Sequence, residues 1–331
     1  MEDNNYKASP ANWKLRIVSG VIILFALVGI FLLRMVSEYV FDLLIGIVAI
    51  FSAFEVENLL HKMDRPTWTS VIGFFPIVCF ASLILAIQSD LSFYHYILIA
   101  FGVLAFLFLL MLLLPVMFSK WGNKCRVKDE YASSLKYYAF VKAMNTVFVC
   151  LWPVFLMSFA FLINHFNGLG MPNAETYTNT LHVDIGLLGL IMMITTSVFA
   201  DVFAMLAGRF IGGPKISLTK LGPGKSWIGL FSGILGATIG ACVVFAIFNS
   251  FESYNVMFDS QGISFVSFLL GGFFCGIFTM LGDIFSSFFK RKAVVKDFSN
   301  LIPGHGGVMD RCNGLTLNAV MVFIVFIIMF R

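Results

Sequence analysis

The sequence predicts an all-α integral membrane protein with about nine transmembrane helices, and three observations point there. The 331 residues are 59% hydrophobic and 12% charged, whereas a soluble domain is about half apolar and about a quarter charged. Apolar stretches of the roughly 17 to 25 residues that carry a helix across about 30 Å of hydrocarbon recur along the whole chain. Strand-like alternation is missing, which disfavours a barrel.

The first apolar run, Ile17 to Leu33, follows Lys14 and Arg16. It is too long for a signal-peptide core and lacks a small-residue cleavage site, so it reads as a retained span. The further runs are Val40 to Phe54, Thr69 to Ile87, Tyr96 to Phe118, Phe140 to Ile163 and Ile185 to Phe210, then Trp227 to Phe248, Ile263 to Phe285 and Leu315 to Phe330. Tyr39, Tyr94, Tyr96 and Trp227 sit near span ends, where amphipathic rings prefer the interface.

Lysine and arginine fall in alternate connections: Lys62 and Arg65, Lys120 to Lys136, Lys215 to Lys225, and Lys290 to Arg311. The loops Gln88 to Phe93, Asn164 to His182 and Asn249 to Gly262 contain neither. Because cytoplasmic loops retain the cations, the N-terminus is expected inside and the C-terminus outside, with Arg34 and Arg331 as exceptions.

No repeat or linker interrupts the chain, so residues 1–331 read as a single polytopic domain. Spans one to five (1–183) form a lipid-facing scaffold. The half from 184 to 331 carries the intramembrane polar residues and an active-site loop over 286–314. Its glycine series Gly229, Gly233, Gly236 and Gly240 has the spacing that lets helices approach closely. Cys79, Cys150, Cys242 and Cys275 lie inside apolar runs without a CxxC pair and read as packing residues. A net charge of +4 is small, and no nucleic-acid partner is expected. Glu55 and Glu57 lie too near an interface to assign.

The densest polar information runs from Gly282 to Arg311. Asp283, Ser287 and Lys290 follow i, i+4, i+7 and share one helix face, and an aspartate at the end of a span is by default a functional hypothesis. The Pro303-Gly304-His305-Gly306-Gly307 turn then returns the chain to Asp310. Two carboxylates on converging helix ends suit Mg²⁺, with Lys290, Arg291, Lys296 and Arg311 able to neutralise a polyphosphate. The bland alternative for Asp283 and Asp310 is an interhelical ion pair with Lys or Arg; for Asp201 it is a pair with Arg209. His305 reads equally as a phosphate donor, a proton carrier or a turn-stabilising residue. Lys292 reads as a positive flank or part of an anionic-lipid patch.

The string Ser287-x-Phe289-Lys290-Arg291-x4-Lys296-Asp297-x-Ser299-x2-Ile302-Pro303-x-His305-Gly306-Gly307-Val308-x-Asp310-Arg311 resembles the signature of the phosphatidate cytidylyltransferases, the CDP-diacylglycerol synthases. Asp201-x2-Ala204-x3-Gly208-Arg209 and Gly222-Pro223-Gly224-Lys225-Ser226-Trp227 resemble further segments of that family. The chain departs from the family pattern at Ser286, Cys312, Asn313 and Ile228.

The resemblance implies that CTP and phosphatidic acid, drawn from the bilayer, give CDP-diacylglycerol and pyrophosphate at the cytoplasmic face of a bacterial inner membrane. It implies Mg²⁺ on Asp283 and Asp310, with a second metal ion and a homodimer left open. Asp283, Asp310, Lys290 and His305 would be catalytic. Ser287, Arg291, Lys296, Asp297, Gly306, Gly307, Arg311, Lys225, Ser226 and Asp201 would bind substrate, the two glycines by letting a phosphate approach the backbone. A relative acting on another lipid phosphate is the nearest alternative, and a catalytically weakened paralogue, given Asn313, Ser286 and Ile228, is another. A transporter using Asp201 and Asp283 is disfavoured because the charges cluster at one face.

Overall fold

The computed structural model describes residues 13–88, 93–117, 135–168, 180–214, 226–302, 304 and 306–330. Lys225 and His305 lie outside the described residues.

Among those residues the chain is helical throughout, with no strand beyond a single bridge between Ile302 and Gly306. The helices are α1 (Trp13–Arg34), α2 (Glu38–Lys62), α3 (Thr69–Gln88), α4 (Phe93–Met117), α5 (Leu135–Val149), α6 (Leu156–Asn164), α7 (Ile185–Phe210), α8 (Trp227–Asn249), α9 (Glu252–Gln261), α10 (Phe265–Lys292) and α11 (Met309–Met329). A π-helical turn, Cys150–Phe155, joins α5 to α6. Pro153 sits inside it and has no amide to donate, and widening the turn is one way a helix absorbs that loss.

Each run expected to span is helical over its described residues, the fifth as α5, the π-helical turn and α6 in succession, and six helical stretches among the described residues are long and apolar enough to cross a membrane. The short α9 was not anticipated; it is capped by Gly262 at φ 65°.

Why the second half packs tightly is visible in the glycines. A Cβ built on Gly236 of α8 would lie 2.5 Å from the Phe199 carbonyl oxygen, and one on Gly240 would lie 3.2 Å from that of Thr195. The series therefore brings the α7 and α8 backbones together. Between α10 and α11 a Cβ on Gly282 would lie 2.5 Å from the Asn313 carbonyl oxygen, so Asp283 sits beside the start of α11. Buried Asn318 of α11 ties that helix to α7, donating to Met193 O at 2.9 Å, Thr196 Oγ1 at 2.9 Å and Ser197 Oγ at 2.8 Å.

At the opposite end of the bundle, Arg34 is 2% exposed and donates to both Asp184 carboxylate oxygens, at 2.6 and 3.1 Å, and to Asn164 Oδ1 at 2.7 Å. This accounts for its place outside the positive-inside pattern: its charge is buried and paired. His165 lies between Asp42 (2.7 Å) and Glu38 (3.0 Å). The cysteines at 79, 150, 242, 275 and 312 are free thiols.

Candidate active site

Four helix ends meet where α7 finishes, α8 and α11 begin and α10 closes. They enclose a cavity of about 350 Å³ lined by Asp201, Gly208, Ser226, Asp283, Asp310, Arg311 and Asn313, among others. Three carboxylates from three different helices thus border one space. Ser226 caps α8, its Oγ accepting from the Gly229 amide at 3.0 Å. The positive end of the α8 dipole favours anions, and Ser226 and Gly229 place that end at the cavity.

Asp283 accepts from Asn313 Nδ2 at 2.9 Å, and the same amide donates to buried Ser286 Oγ at 3.2 Å. Two positions that depart from the resembled family, Ser286 and Asn313, therefore form one unit that orients Asp283. The close approach of α10 and α11 at Gly282 makes that unit possible.

Asp310 is held by three donors. Its Oδ1 accepts from Lys290 Nζ at 2.7 Å, and its Oδ2 from the amides of Phe298 at 2.8 Å and Gly307 at 2.9 Å. The ion pair weighed as the bland alternative is present at Asp310, and Lys290 is its partner. Lys290 is half-buried, with its ammonium 5.4 Å from the Phe298 ring centroid.

The loop between α10 and α11 folds on itself through reciprocal backbone bonds between Ile302 and Gly306, with Gly304 at φ 78° and Gly306 at φ 85°. Its deepest anchor comes from the first half of the chain. Glu55 of α2 is 5% exposed and accepts from Ser299 Oγ at 2.6 Å, Val308 N at 2.9 Å and Met309 N at 2.8 Å. A carboxylate on the first amides of α11 satisfies donors that the helix itself leaves open.

Gly307 was expected to admit a phosphate. The space beside it is filled by Glu55, whose Oε2 would lie 2.5 Å from a Cβ there. Gly306 likewise faces Asp310 and Asp297. The missing side chains make room for the protein's own carboxylates, because a buried acid needs backbone donors close by.

Among the remaining expected site residues, Arg291 and Lys296 are exposed, and Asp297 and Ser287 are half-buried. These four are not in the cavity lining. Glu55 was not assigned from the sequence. An acid inside an apolar run was the available signal, but its partners lie some 250 residues away in the chain.

No three His, Cys, Asp or Glu side chains among the described residues converge as a self-contained metal site. The donor set nonetheless fits Mg²⁺, which takes one or two carboxylates and draws its other ligands from phosphate oxygens and water. Asp201, Asp283 and Asp310 border the same space.

The profile of the cytidylyltransferase family matches residues 14–329. The chain belongs to that family. The phosphatidate cytidylyltransferase of Rickettsia bellii is 38% identical over 125 residues, which cover 38% of this chain and 52% of the relative. That of Haemophilus influenzae is 32% identical over 207 residues, 62% of this chain and 65% of the relative. That of Thermotoga maritima is 35% identical over 146 residues, 44% and 52%. The matched stretches thus span from about half to just under two thirds of these relatives. As a cytidylyltransferase family member, the chain places its acidic cavity within the matched region.

Beside the cavity lies an apolar groove of about 790 Å³ walled by Trp152, Phe155, Leu281, Phe285 and Phe288, among others. Ile284 lines both. A carboxylate-lined chamber therefore shares a wall with a groove able to hold hydrocarbon.

Proposed function

We propose that this chain is a phosphatidate cytidylyltransferase, converting CTP and phosphatidic acid to CDP-diacylglycerol and pyrophosphate. The observation that carries the reading is the shared wall at Ile284 between the carboxylate-lined cavity and the apolar groove. A substrate with a phosphate head and hydrocarbon tails needs both compartments side by side. Membership of the cytidylyltransferase family and the names of the relatives support the nucleotide assignment.

In the reaction, a phosphate oxygen of phosphatidic acid attacks the α-phosphorus of CTP. That P–O bond forms as the bond from the α-phosphorus to the oxygen bridging to the β-phosphorus breaks, and pyrophosphate leaves. The protein's task is placement and charge neutralisation. Arg311 at the cavity would pair with phosphate oxygens, the Ser226 hydroxyl at the start of α8 would donate to them, and Lys290 would hold Asp310 in its orientation. Asp283 and Asp310, with Asp201 nearby, would hold Mg²⁺, which supplies Lewis-acid stabilisation of the transferring and leaving phosphates. Lys225 is assigned to phosphate binding, and His305 to a catalytic role, by family resemblance alone.

The same reading places the N-terminus and the loop 286–314 in the cytoplasm, where CTP is available, with nine spans and the C-terminus outside, in a bacterial inner membrane.

Purified protein in detergent micelles with CTP, Mg²⁺ and phosphatidic acid should form CDP-lipid and pyrophosphate in equal amounts. Absence of CDP-lipid, or equal turnover with ATP, would replace this reading with another lipid-phosphate chemistry.

A further inference from the structure

A second concave site lies at the same end of the bundle, away from the acidic cavity. It is a pocket of about 490 Å³ between α2, α5 and α10. Lys62 at the end of α2, Arg65 in the following turn and Lys292 at the end of α10 line it. No carboxylate lines it. Among the described residues none of these three cations has an ion-pair partner, and Lys292 makes only a cation–π contact, 5.8 Å from the Phe288 ring centroid. Cations that converge from separate elements repel one another, so such an arrangement suits an anion.

The other wall is apolar. Phe148 and Phe289 face the pocket with ring centroids 4.9 Å apart. Phe148 also lines the apolar groove, where Phe285 stands 6.2 Å from it. The basic pocket, the groove and the acidic cavity are therefore consecutive compartments, joined at Phe148 and at Ile284. A free phosphate would use only the first. A ligand that uses the basic pocket and the groove together carries a phosphate at one end and hydrocarbon at the other.

We propose that Lys62, Arg65 and Lys292 form a binding site for the headgroup phosphate of an anionic phospholipid, whose tail lies along Phe148 and Trp152 in the groove. The site is separate from the cavity of Asp283 and Asp310, and its occupation does not depend on the proposed reaction. Its position lets an anionic lipid be held beside the catalytic cavity before its headgroup enters.

The test uses full-length protein in nanodiscs of phosphatidylcholine containing brominated phosphatidylglycerol, an anionic lipid without a phosphomonoester to react. Bromine quenches the fluorescence of a tryptophan it touches. Trp152 should be quenched by brominated phosphatidylglycerol at a lower mole fraction than by brominated phosphatidylcholine, and Trp152→Phe identifies its share of the signal. Each cation near a lipid surface contributes about a fivefold preference. Lys62→Gln/Arg65→Gln/Lys292→Gln should therefore lose the anionic preference by roughly a hundredfold while retaining quenching by the neutral lipid, which shows that the groove is intact. Lys62→Arg/Lys292→Arg should keep the preference. An anionic preference unchanged in the triple Gln variant, or one abolished by millimolar inorganic phosphate at constant ionic strength, would overturn the assignment.

Discussion

Glu55 shows how much one buried side chain organises. Its two oxygens satisfy a hydroxyl and two amides of the loop and of the α11 N-terminus, and leaving a buried donor without a partner costs ~1–3 kcal/mol. Glu55→Ala should therefore loosen the loop before it affects the rest of the bundle. Hydrogen exchange at the amides of Val308 and Met309 should accelerate and CTP-dependent turnover should fall by at least about tenfold, since that loop leads into Asp310 in the first turn of α11 and donates to its carboxylate. Unchanged exchange there would show that Glu55 is not the anchor. The two aspartates differ in the same way. Asp283→Asn and Asp310→Asn should each lower turnover by orders of magnitude, and the double variant should be little worse than either single one if they act as a unit. Only Asp310→Asn should also lower the melting temperature, because Asp310 holds Lys290 and two loop amides as well. Equal melting temperatures for the two single variants would contradict this division of roles.

At the scale of elements, the decisive contact is the approach of α10 to α11. Gly282 faces the backbone of Asn313, and the next residue, Asp283, accepts from the Asn313 side chain. An added methyl would meet a carbonyl that cannot rotate away, and overpacking of this kind costs ~1–3 kcal/mol. Gly282→Ala is expected to lower both the melting temperature in detergent and turnover, because separating the helices pulls Asp283 from its partner. Gly102→Ala in α4, where no atom lies within 4 Å of the added methyl, should change neither. If Gly282→Ala loses stability yet keeps full turnover, the Asn313 contact is not what orients Asp283.

For the whole molecule, polar locks at the two ends of the bundle have different functions. At the end away from the candidate site, burial would lower the His165 pKa, but the hydrogen bonds and charges of Asp42 and Glu38 outweigh it and raise it from 6.5 to about 9. Protonation is thus favoured by folding. The stabilisation is complete below about pH 6.5 and is lost as the pH rises through about 9. Melting temperature should decline across that window, and His165→Gln should flatten the decline; an unaltered slope would place the pH dependence elsewhere. At the other end, Asn300 in the exposed loop is proposed to face the cytoplasm. Asn300→Cys should resist an impermeant thiol reagent applied outside intact cells, and efficient labelling would invert the topology.

Hydropathy by itself determined the helical membrane class and the positions of the long helices, because burying roughly 20 apolar residues in hydrocarbon is a local property of the chain. Spacing determined that the glycines of α8 meet a neighbour, and the polar string from Gly282 to Arg311 marked the candidate site. Only tertiary structure decided which groups face one another. It joined Asp201, Asp283 and Asp310 in one cavity, gave Lys290 to Asp310, and brought Glu55 from α2 to the loop before α11. It also turned Arg34 from an exception to the charge pattern into the partner of Asp184. Such pairings depend on how helices distant in sequence are set side by side, and a buried charge is stable only where that arrangement supplies its partner.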